Sequence, residues 1–196
     1  MLLSDSIILT VPFGEDYDEN INNLRQLCIA ILSIQRKLVK HDIWMRGGIS
    51  YGDTFFNEST NQIVGSGYID AYLLEEKMAK YPRVILDNKI IKALKCKNST
   101  RLIEKINNYN KDYPSHFGNV LYDWSNAYNL NVSLEKDIPL FIDYIPNDKK
   151  TILKIKQLIE KNTSQNIAVY DKFKWVAKYL MTIADEQLLI NKLHEI

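Results

Sequence analysis

The sequence has few cysteines, no long apolar run and almost no charge imbalance. Cys28 and Cys96 are its only cysteines. Two are too few for a disulfide framework, so a reducing, intracellular environment fits better than an extracellular one. No stretch approaches the roughly 18 consecutive apolar residues of a membrane span, and the N-terminus lacks the features of a signal peptide. We therefore expect a cytoplasmic protein.

The charge balance excludes further classes of partner. The formal net charge is +1 over 196 residues, and neither sign dominates a long stretch, so nothing favours binding to nucleic acid or to a membrane surface. With 46% hydrophobic residues, the composition is that of an ordinary globular protein, and the length predicts one domain with appendages.

Several motifs with well-defined chemistry are also missing. The sequence contains no GxGxxG, no GxxxxGK[ST] and no Cys/His cluster with zinc spacing. His41, His116 and His194 are scattered along the chain, so they do not support a Ser-His-Asp arrangement. The sequence therefore does not indicate a dinucleotide fold, a P-loop or a zinc site.

The most informative stretch runs from residue 43 to residue 87. Two β-rich segments, residues 43–56 and 62–64, flank a polar stretch and predict a hairpin. A glycine turn at residues 65–67 follows, then helical spacing that ends before Pro82, and then a buried strand at residues 83–87. A glycine turn at a helix N-terminus is a place where backbone N–H groups can hold an anion.

The remaining segments complete a mixed pattern of helices and strands. Residues 2–11 contain the apolar run Ile7-Ile8-Leu9, which predicts a central strand. Residues 20–40 have the spacing of an amphipathic helix. Helices are also predicted at residues 89–94, 100–109, 151–161 and 168–181, and a strand at residues 138–145, whereas residues 112–131 show no clear period.

Three features could together serve a metal ion and a triphosphate. Asp5 lies inside the first predicted strand, Arg46 opens the hairpin, and the glycine turn starts a helix. A carboxylate, a fixed positive charge and backbone donors are the groups that hold Mg²⁺ and phosphate oxygens. As structural alternatives, Asp5 could bond to backbone N–H groups at a strand entry, and Arg46 could pair with Glu58 or Asp53 across the hairpin.

Five motifs, taken in order, resemble the class III nucleotide cyclase domain. They are SDSIILTVP, RGGISYG, GSGYIDAYLLE, YPRVILD and, near the C-terminus, DKFKWVAKY. The resemblance is closest to the pyrimidine cyclases of bacterial Pycsar anti-phage systems. It implies an α+β, ferredoxin-like fold with a mainly antiparallel sheet and helices packed on it. Residues 1–145 would form a catalytic core that lacks its first strand and helices, and residues 146–196 a helical C-terminal extension.

The resemblance also implies an activity and its partners. A pyrimidine cyclase converts UTP or CTP into the 3′,5′-cyclic monophosphate and pyrophosphate with Mn²⁺ or Mg²⁺. Cyclases of this class build their sites between two domains, so a homodimer is implied, with the substrate between the subunits. The product would act as an anti-phage signal on a separate effector that responds to cyclic nucleotides.

Each candidate residue receives a role from this resemblance. Asp5 would be a metal ligand and Arg46 a catalytic cation, and four residues would bind the substrate: Gln62, Gly65, Ser66 and Arg83. Met1 and Gln62 stand where purine cyclases have their base-reading residues. A pyrimidine is therefore the expected base.

The sequence departs from the cyclase pattern in two respects. The first metal-binding aspartate of the family belongs to a strand that would precede Met1, so we expect a chain that is inactive, or nearly so, without an upstream segment. Ile69 and Leu73 stand where the family has an Asn and an Arg. A catalytically inactive regulatory or interaction domain stays open as an alternative, as does an unrelated ligand-binding domain. Glu75, on the same helix, could pair with Lys77 or Arg83 as a surface salt bridge.

Overall fold

The computed structural model describes residues 6–60, 62–108, 119–123, 140–146, 148–165 and 169–183. These residues form helices and a small mixed sheet, which is consistent with the predicted α+β class. In chain order the elements are α1 (Tyr17–Val39), β1 (Gly47–Ile49), β2 (Phe55–Asn57), β3 (Gln62–Val64), α2 (Ser66–Met78), β4 (Val84–Leu86), α3 (Asn88–Ala93), α4 (Ser99–Asn108), β5 (Leu121–Asp123), β6 (Leu140–Ile142), α5 (Lys149–Gln165) and α6 (Tyr170–Ile183).

Within the described residues, four strands form the main sheet in the order β1-β4-β6-β5. β1 and β4 are parallel, with Gly47 opposite Val84 and Ile49 opposite Leu86. β6 runs antiparallel to both β4 and β5, so this mixed sheet has two antiparallel pairs and one parallel pair and is mainly antiparallel, as the sequence predicted. The parallel pair forms because α2 carries the chain back to the end at which β1 began before β4 starts.

The predicted hairpin is present, but it is a separate two-stranded sheet. β2 and β3 are antiparallel, with Phe55 opposite Val64 and Asn57 opposite Gln62. The prediction that residues 43–56 form one strand of this hairpin is wrong. The first part of that run becomes β1, which pairs with β4 in the main sheet.

Residues 6–11 do not form the central strand that their sequence predicts. They lie in neither a helix nor a strand, and Ile7, Ile8 and Leu9 are 61%, 49% and 43% exposed. An apolar run becomes a strand only where a neighbouring strand and a packed face accept it, because β-propensity depends strongly on this context. The prediction is therefore wrong for the described part of this segment.

Helix α1 follows the sequence pattern closely at both ends. Asp16 is its N-cap, and the carboxylate accepts a hydrogen bond from the Glu19 N–H at 2.8 Å. Acidic residues in the first turn and basic residues in the last turn complement the helix dipole. The opposite face of α1 buries Leu24, Cys28 and Leu32 in the core.

One hydrophobic core joins the helices to the main sheet. Every residue of β4 and β6 is buried. The neighbouring strand β5 lies within residues 112–131, for which the sequence predicted no regular structure. The extension predicted at residues 146–196 contributes as well, because α6 buries Trp175 and Tyr179 in the same core. Within the described residues, no helix has the length and apolar character needed to cross a membrane.

Candidate functional site

The loop after β1 crosses the N-terminus of α2 at very close range. A methyl group at Gly52 would lie 2.6 Å from Ser66 Oγ and 2.7 Å from the Gly67 nitrogen. A methyl group at Gly67 would in turn lie 2.6 Å from the Gly52 carbonyl oxygen. The Gly67 N–H donates to the Asp53 carbonyl oxygen at 3.1 Å. Close backbone packing therefore explains these glycines.

Gly65 starts α2 in a conformation that other residues rarely adopt. Its φ is +132°, and it makes no side-chain capping bond. A methyl group here would lie 2.2 Å from the Asp53 carbonyl oxygen. Within the described residues, the backbone N–H groups of Ser66 and Tyr68 make no hydrogen bond. The positive end of α2 therefore keeps two donors for an anion, as the glycine turn predicts.

A cluster of polar side chains lies beside this helix end. Ser50 and Asp87 directly follow β1 and β4, and parallel strands bring such residues to one edge of the sheet. The Ser50 hydroxyl donates to the Asp87 carboxylate at 2.9 Å. Asp87 also caps α3 by accepting from the Lys89 N–H at 2.9 Å. The Lys89 ammonium group pairs with Asp70 of α2 at 2.5 Å.

The sequence did not predict this polar-edge cluster (Ser50, Asp70, Asp87 and Lys89). The prediction assigned residues 43–56 to a hairpin strand and left the pairing of residues 83–87 open. With β1 and β4 recognised as parallel neighbours, a polar residue directly after each apolar run would have indicated this edge.

Arg46 lies at the other end of β1, before the strand begins. Its Nε atom forms an ion pair with Glu75 Oε1 at 2.6 Å. Glu75 lies about 14 Å along the axis of α2 from Ser66, at a rise of about 1.5 Å per residue. Within one chain, Arg46 and the glycine turn are therefore at opposite ends of the helix.

The pairing of Arg46 differs from the structural alternatives that the sequence offered. Its partner is Glu75, neither Glu58 nor Asp53, and Glu75 pairs with neither Lys77 nor Arg83. The two side chains are 47% and 26% exposed, so the pair stabilises the fold by less than about 1 kcal/mol.

Gln62 lies at the start of β3 and is exposed. Its Oε1 atom accepts a hydrogen bond from the Thr60 hydroxyl at 3.2 Å. Strand geometry puts it about 10 Å from Gly65, at about 3.3 Å per residue. Gln62 and the glycine turn therefore belong to the same surface region.

Arg83 is buried rather than presented to solvent. It is 1% exposed, and its guanidinium carbon lies 4.9 Å from the ring centroid of Trp175, 5.4 Å from that of Phe141 and 5.9 Å from that of Tyr81. These cation–π contacts join α6 to the sheet. The substrate-binding role predicted for Arg83 would need a guanidinium group that reaches solvent, and the rings separate it from solvent here.

Asp5, the predicted metal ligand, lies outside the described residues, as does Met1. In the part of the chain that the structure describes, no three His, Cys, Asp or Glu side chains are placed to hold a metal ion. Asp70 and Asp87 are each already engaged, by Lys89 and by Ser50. The described side chains therefore do not fit Mn²⁺ or Mg²⁺ by themselves.

Comparisons with known proteins do not place the chain in a family. No protein-family model, curated protein or solved structure matches it.

Proposed function

We propose that this chain is a nucleotide cyclase that converts UTP or CTP into the 3′,5′-cyclic monophosphate and pyrophosphate. The observation that supports this most strongly is the pair of N–H groups, of Ser66 and Tyr68, that make no hydrogen bond within the described residues at the N-terminus of α2. The β1–α2–β4 unit contains the motifs RGGISYG, GSGYIDAYLLE and YPRVILD, which resemble class III cyclases, and its glycines bring the loop after β1 against the helix end. Backbone N–H donors at a helix N-terminus suit phosphate oxygens.

In the proposed reaction the ribose 3′-oxygen attacks the α-phosphorus in line. A bond forms between these two atoms, the bond from the α-phosphorus to its bridging oxygen breaks, pyrophosphate leaves, and the hydroxyl proton passes to solvent. The N–H groups of Ser66 and Tyr68 would hold phosphate oxygens. Gln62 would read the pyrimidine edge, because a carboxamide offers both donors and an acceptor. In this proposal Asp5 would be a ligand of Mn²⁺ or Mg²⁺.

A homodimer is part of the proposal. Arg46 lies about 14 Å along α2 from the glycine turn of its own chain, and this separation favours a substrate held at the turn of another copy. A head-to-tail pair of subunits has this arrangement. The substrate would then lie between the subunits.

Exposed apolar side chains offer a surface for the second copy. Phe55 and Val64 of the hairpin are 63% and 57% exposed and lie directly opposite each other, so they form one hairpin patch. Ile69 and Tyr72 of α2 are also exposed. A second copy would remove these side chains from water, which is the main favourable term in most protein association.

The product would act on a separate effector that responds to cyclic nucleotides. As in the systems that the sequence resembles, the signal would serve defence against phage. We place the activity in the cytoplasm, where nucleoside triphosphates are available.

A catalytically inactive, cyclase-like regulatory or interaction domain is the second candidate. Three observations favour it: Arg83 is buried, Arg46 is engaged by Glu75, and α2 has Ile69 and Leu73 where cyclases have Asn and Arg. Such a domain would bind a nucleotide or a protein without turning a substrate over.

Product analysis separates the two candidates. The full-length gene product is incubated with Mn²⁺ and each of UTP, CTP, ATP and GTP, the products are separated by chromatography, and UTP binding is measured by calorimetry. A cyclic pyrimidine nucleotide as the main product supports the enzyme. UTP binding without any product favours the second candidate, and cyclic AMP as the main product would overturn the base assignment.

A further inference from the structure

We propose that an open cleft beside the start of β1 binds a small organic phosphate that carries a flat ring. The cleft has a volume of about 300 Å³, at the lower end of the range for small-molecule sites and of mononucleotide size. Arg46 is one of its lining residues. The cleft therefore lies at the end of α2 opposite the glycine turn. Arg46 is assigned to the cyclase reaction above, so the phosphate proposed for this cleft is assigned to its two lysines, Lys80 and Lys172.

Aromatic rings from three distant parts of the chain line this cleft. Trp44 precedes β1, Tyr81 precedes β4, and Phe173 belongs to the first turn of α6. Trp44 and Phe173 meet edge to face with ring centroids 5.1 Å apart. Tyr81 stacks on Trp175 at 5.5 Å, with the ring planes 6° apart. These contacts hold the rings in place, so an apolar surface for a flat ring is already formed.

Positive charge is concentrated at the same cleft. Among the residues that the structure describes, Arg46, Lys80 and Lys172 line the cleft, against a single carboxylate, that of Asp42. Lys80 and Lys172 are exposed, and neither forms an ion pair with any residue that the structure describes. An anion at this position is therefore attracted by two lysines that form no ion pair within the described residues.

The Asp42 carboxylate at the cleft is already compensated. Asp42 accepts hydrogen bonds from Trp44 Nε1 at 2.8 Å, Lys161 Nζ at 3.0 Å and Asn162 Nδ2 at 3.1 Å. Burial acts to raise the pKa of Asp42, but these hydrogen bonds together outweigh it and the pKa is lowered. Asp42 therefore joins Trp44 to α5 behind the cleft, and Lys161 offsets its repulsion of an anion.

The charges favour a phosphate over a single carboxylate. Two unbalanced lysines suit a group that carries nearly two negative charges, and lysine binds phosphate well as a point charge. Arg46 is already paired with Glu75, so the two lysines carry the attraction for a phosphate here.

The test measures the binding of UMP to the full-length gene product by calorimetry and by tryptophan fluorescence. Uridine supplies the ring without the phosphate, and ribose 5-phosphate supplies the phosphate without the ring. The double substitution Lys80→Gln, Lys172→Gln removes the unbalanced charge, and Lys92→Gln, an exposed lysine of α3 outside the cleft, is the matched control. Because both cleft lysines are exposed, we expect the double variant to keep the wild-type melting temperature.

We expect UMP to bind at least about tenfold more tightly than uridine or ribose 5-phosphate, and the double variant to bind UMP at least about tenfold more weakly than the wild type. Lys92→Gln should leave binding unchanged. The proposal is overturned if the wild type does not bind UMP, if the double variant binds it as the wild type does, or if ribose 5-phosphate binds equally well. Turnover of UTP distinguishes this site from the proposed active site. It should be unchanged in the double variant. If the double variant loses both UTP turnover and UMP binding, the assignment of two sites is overturned.

Discussion

The hydroxyl of Tyr179 in α6 donates a hydrogen bond to the carboxylate of Asp143, the residue that follows β6. Both residues are buried. Arg36 of α1 reaches the same place and donates to the backbone carbonyl oxygens of Asp143 and Tyr144, at 3.3 Å in each case. Hydrogen bonds therefore join helices α1 and α6 to the end of β6.

The stability of the fold should depend on the ionisation of Asp143. Burial raises the pKa of Asp143 to about 6, although the hydrogen bond from Tyr179 and the charge of Arg36 act to lower it. An aspartate in the unfolded chain has a pKa of about 3.9. Between about pH 4 and pH 6 the folded protein therefore holds a proton that the unfolded chain has lost. The contribution of Asp143 to stability is therefore fully present below about pH 4 and is lost as the pH rises through about 6.

Denaturant unfolding between about pH 4 and pH 7 measures this effect. We expect the wild type to lose on the order of 2–3 kcal/mol relative to Asp143→Asn over this range. The amide cannot ionise but can still accept the bond from Tyr179. Asp171→Asn, at an exposed position of α6, is the control, and its free energy of unfolding should change with pH as that of the wild type does. Identical pH profiles for the wild type and Asp143→Asn would show that this carboxylate does not titrate in that range.

Gly65→Ala should destabilise the fold strongly. Its φ of +132° and the 2.2 Å approach of a methyl group to the Asp53 carbonyl oxygen together predict a loss of about 2 kcal/mol or more. Gly14→Ala is the matched control, because no atom lies within 4 Å of a methyl group there, and it should change stability by less than about 0.5 kcal/mol. Urea unfolding of the two variants is the measurement. Equal stabilities would contradict the tight crossing of the loop and α2.

The hairpin patch should hold the proposed homodimer together. The double substitution Phe55→Ser, Val64→Thr removes two exposed apolar side chains, each worth about 1.5–3 kcal/mol if buried in an interface. We expect the dissociation constant to rise more than about tenfold in sedimentation experiments. Leu153→Ser, at an exposed position of α5, should leave it unchanged. A wild type that is monomeric at high micromolar concentration would rule out this dimer.

Local patterns predicted the helices well because amphipathic spacing depends only on neighbouring residues. The segments predicted at residues 20–40, 151–161 and 168–181 became α1, α5 and α6. The buried strand predicted at residues 83–87 became β4, because its apolar run pairs with β1 and β6. The run Ile7-Ile8-Leu9 misled the prediction, because a strand also needs a partner, and three apolar residues do not specify one.

The arrangement of the candidate site was harder to predict because distant segments build it. Ser50 meets Asp87 only because β1 and β4 pair in parallel, and a local pattern does not contain that pairing. Arg46 had several acidic residues within reach in sequence, and the fold of α2 on β1 selected Glu75. The glycine turn, in contrast, was predicted correctly as a helix start, because a break followed by helical spacing is a local signal.

The central claim is that a pyrimidine nucleotide is cyclised at a site that includes Asp5 and Arg46. The most direct test quantifies cyclic UMP, CMP and AMP by mass spectrometry after reaction of the full-length gene product with the triphosphates in Mn²⁺. Asp5→Ala, Arg46→Ala and the control Lys92→Gln are compared with the wild type. We predict that a cyclic pyrimidine nucleotide is the main wild-type product, that Asp5→Ala abolishes it, that Arg46→Ala lowers it and that Lys92→Gln does not change it. Cyclic AMP as the main product, or full activity in Asp5→Ala, would contradict the claim.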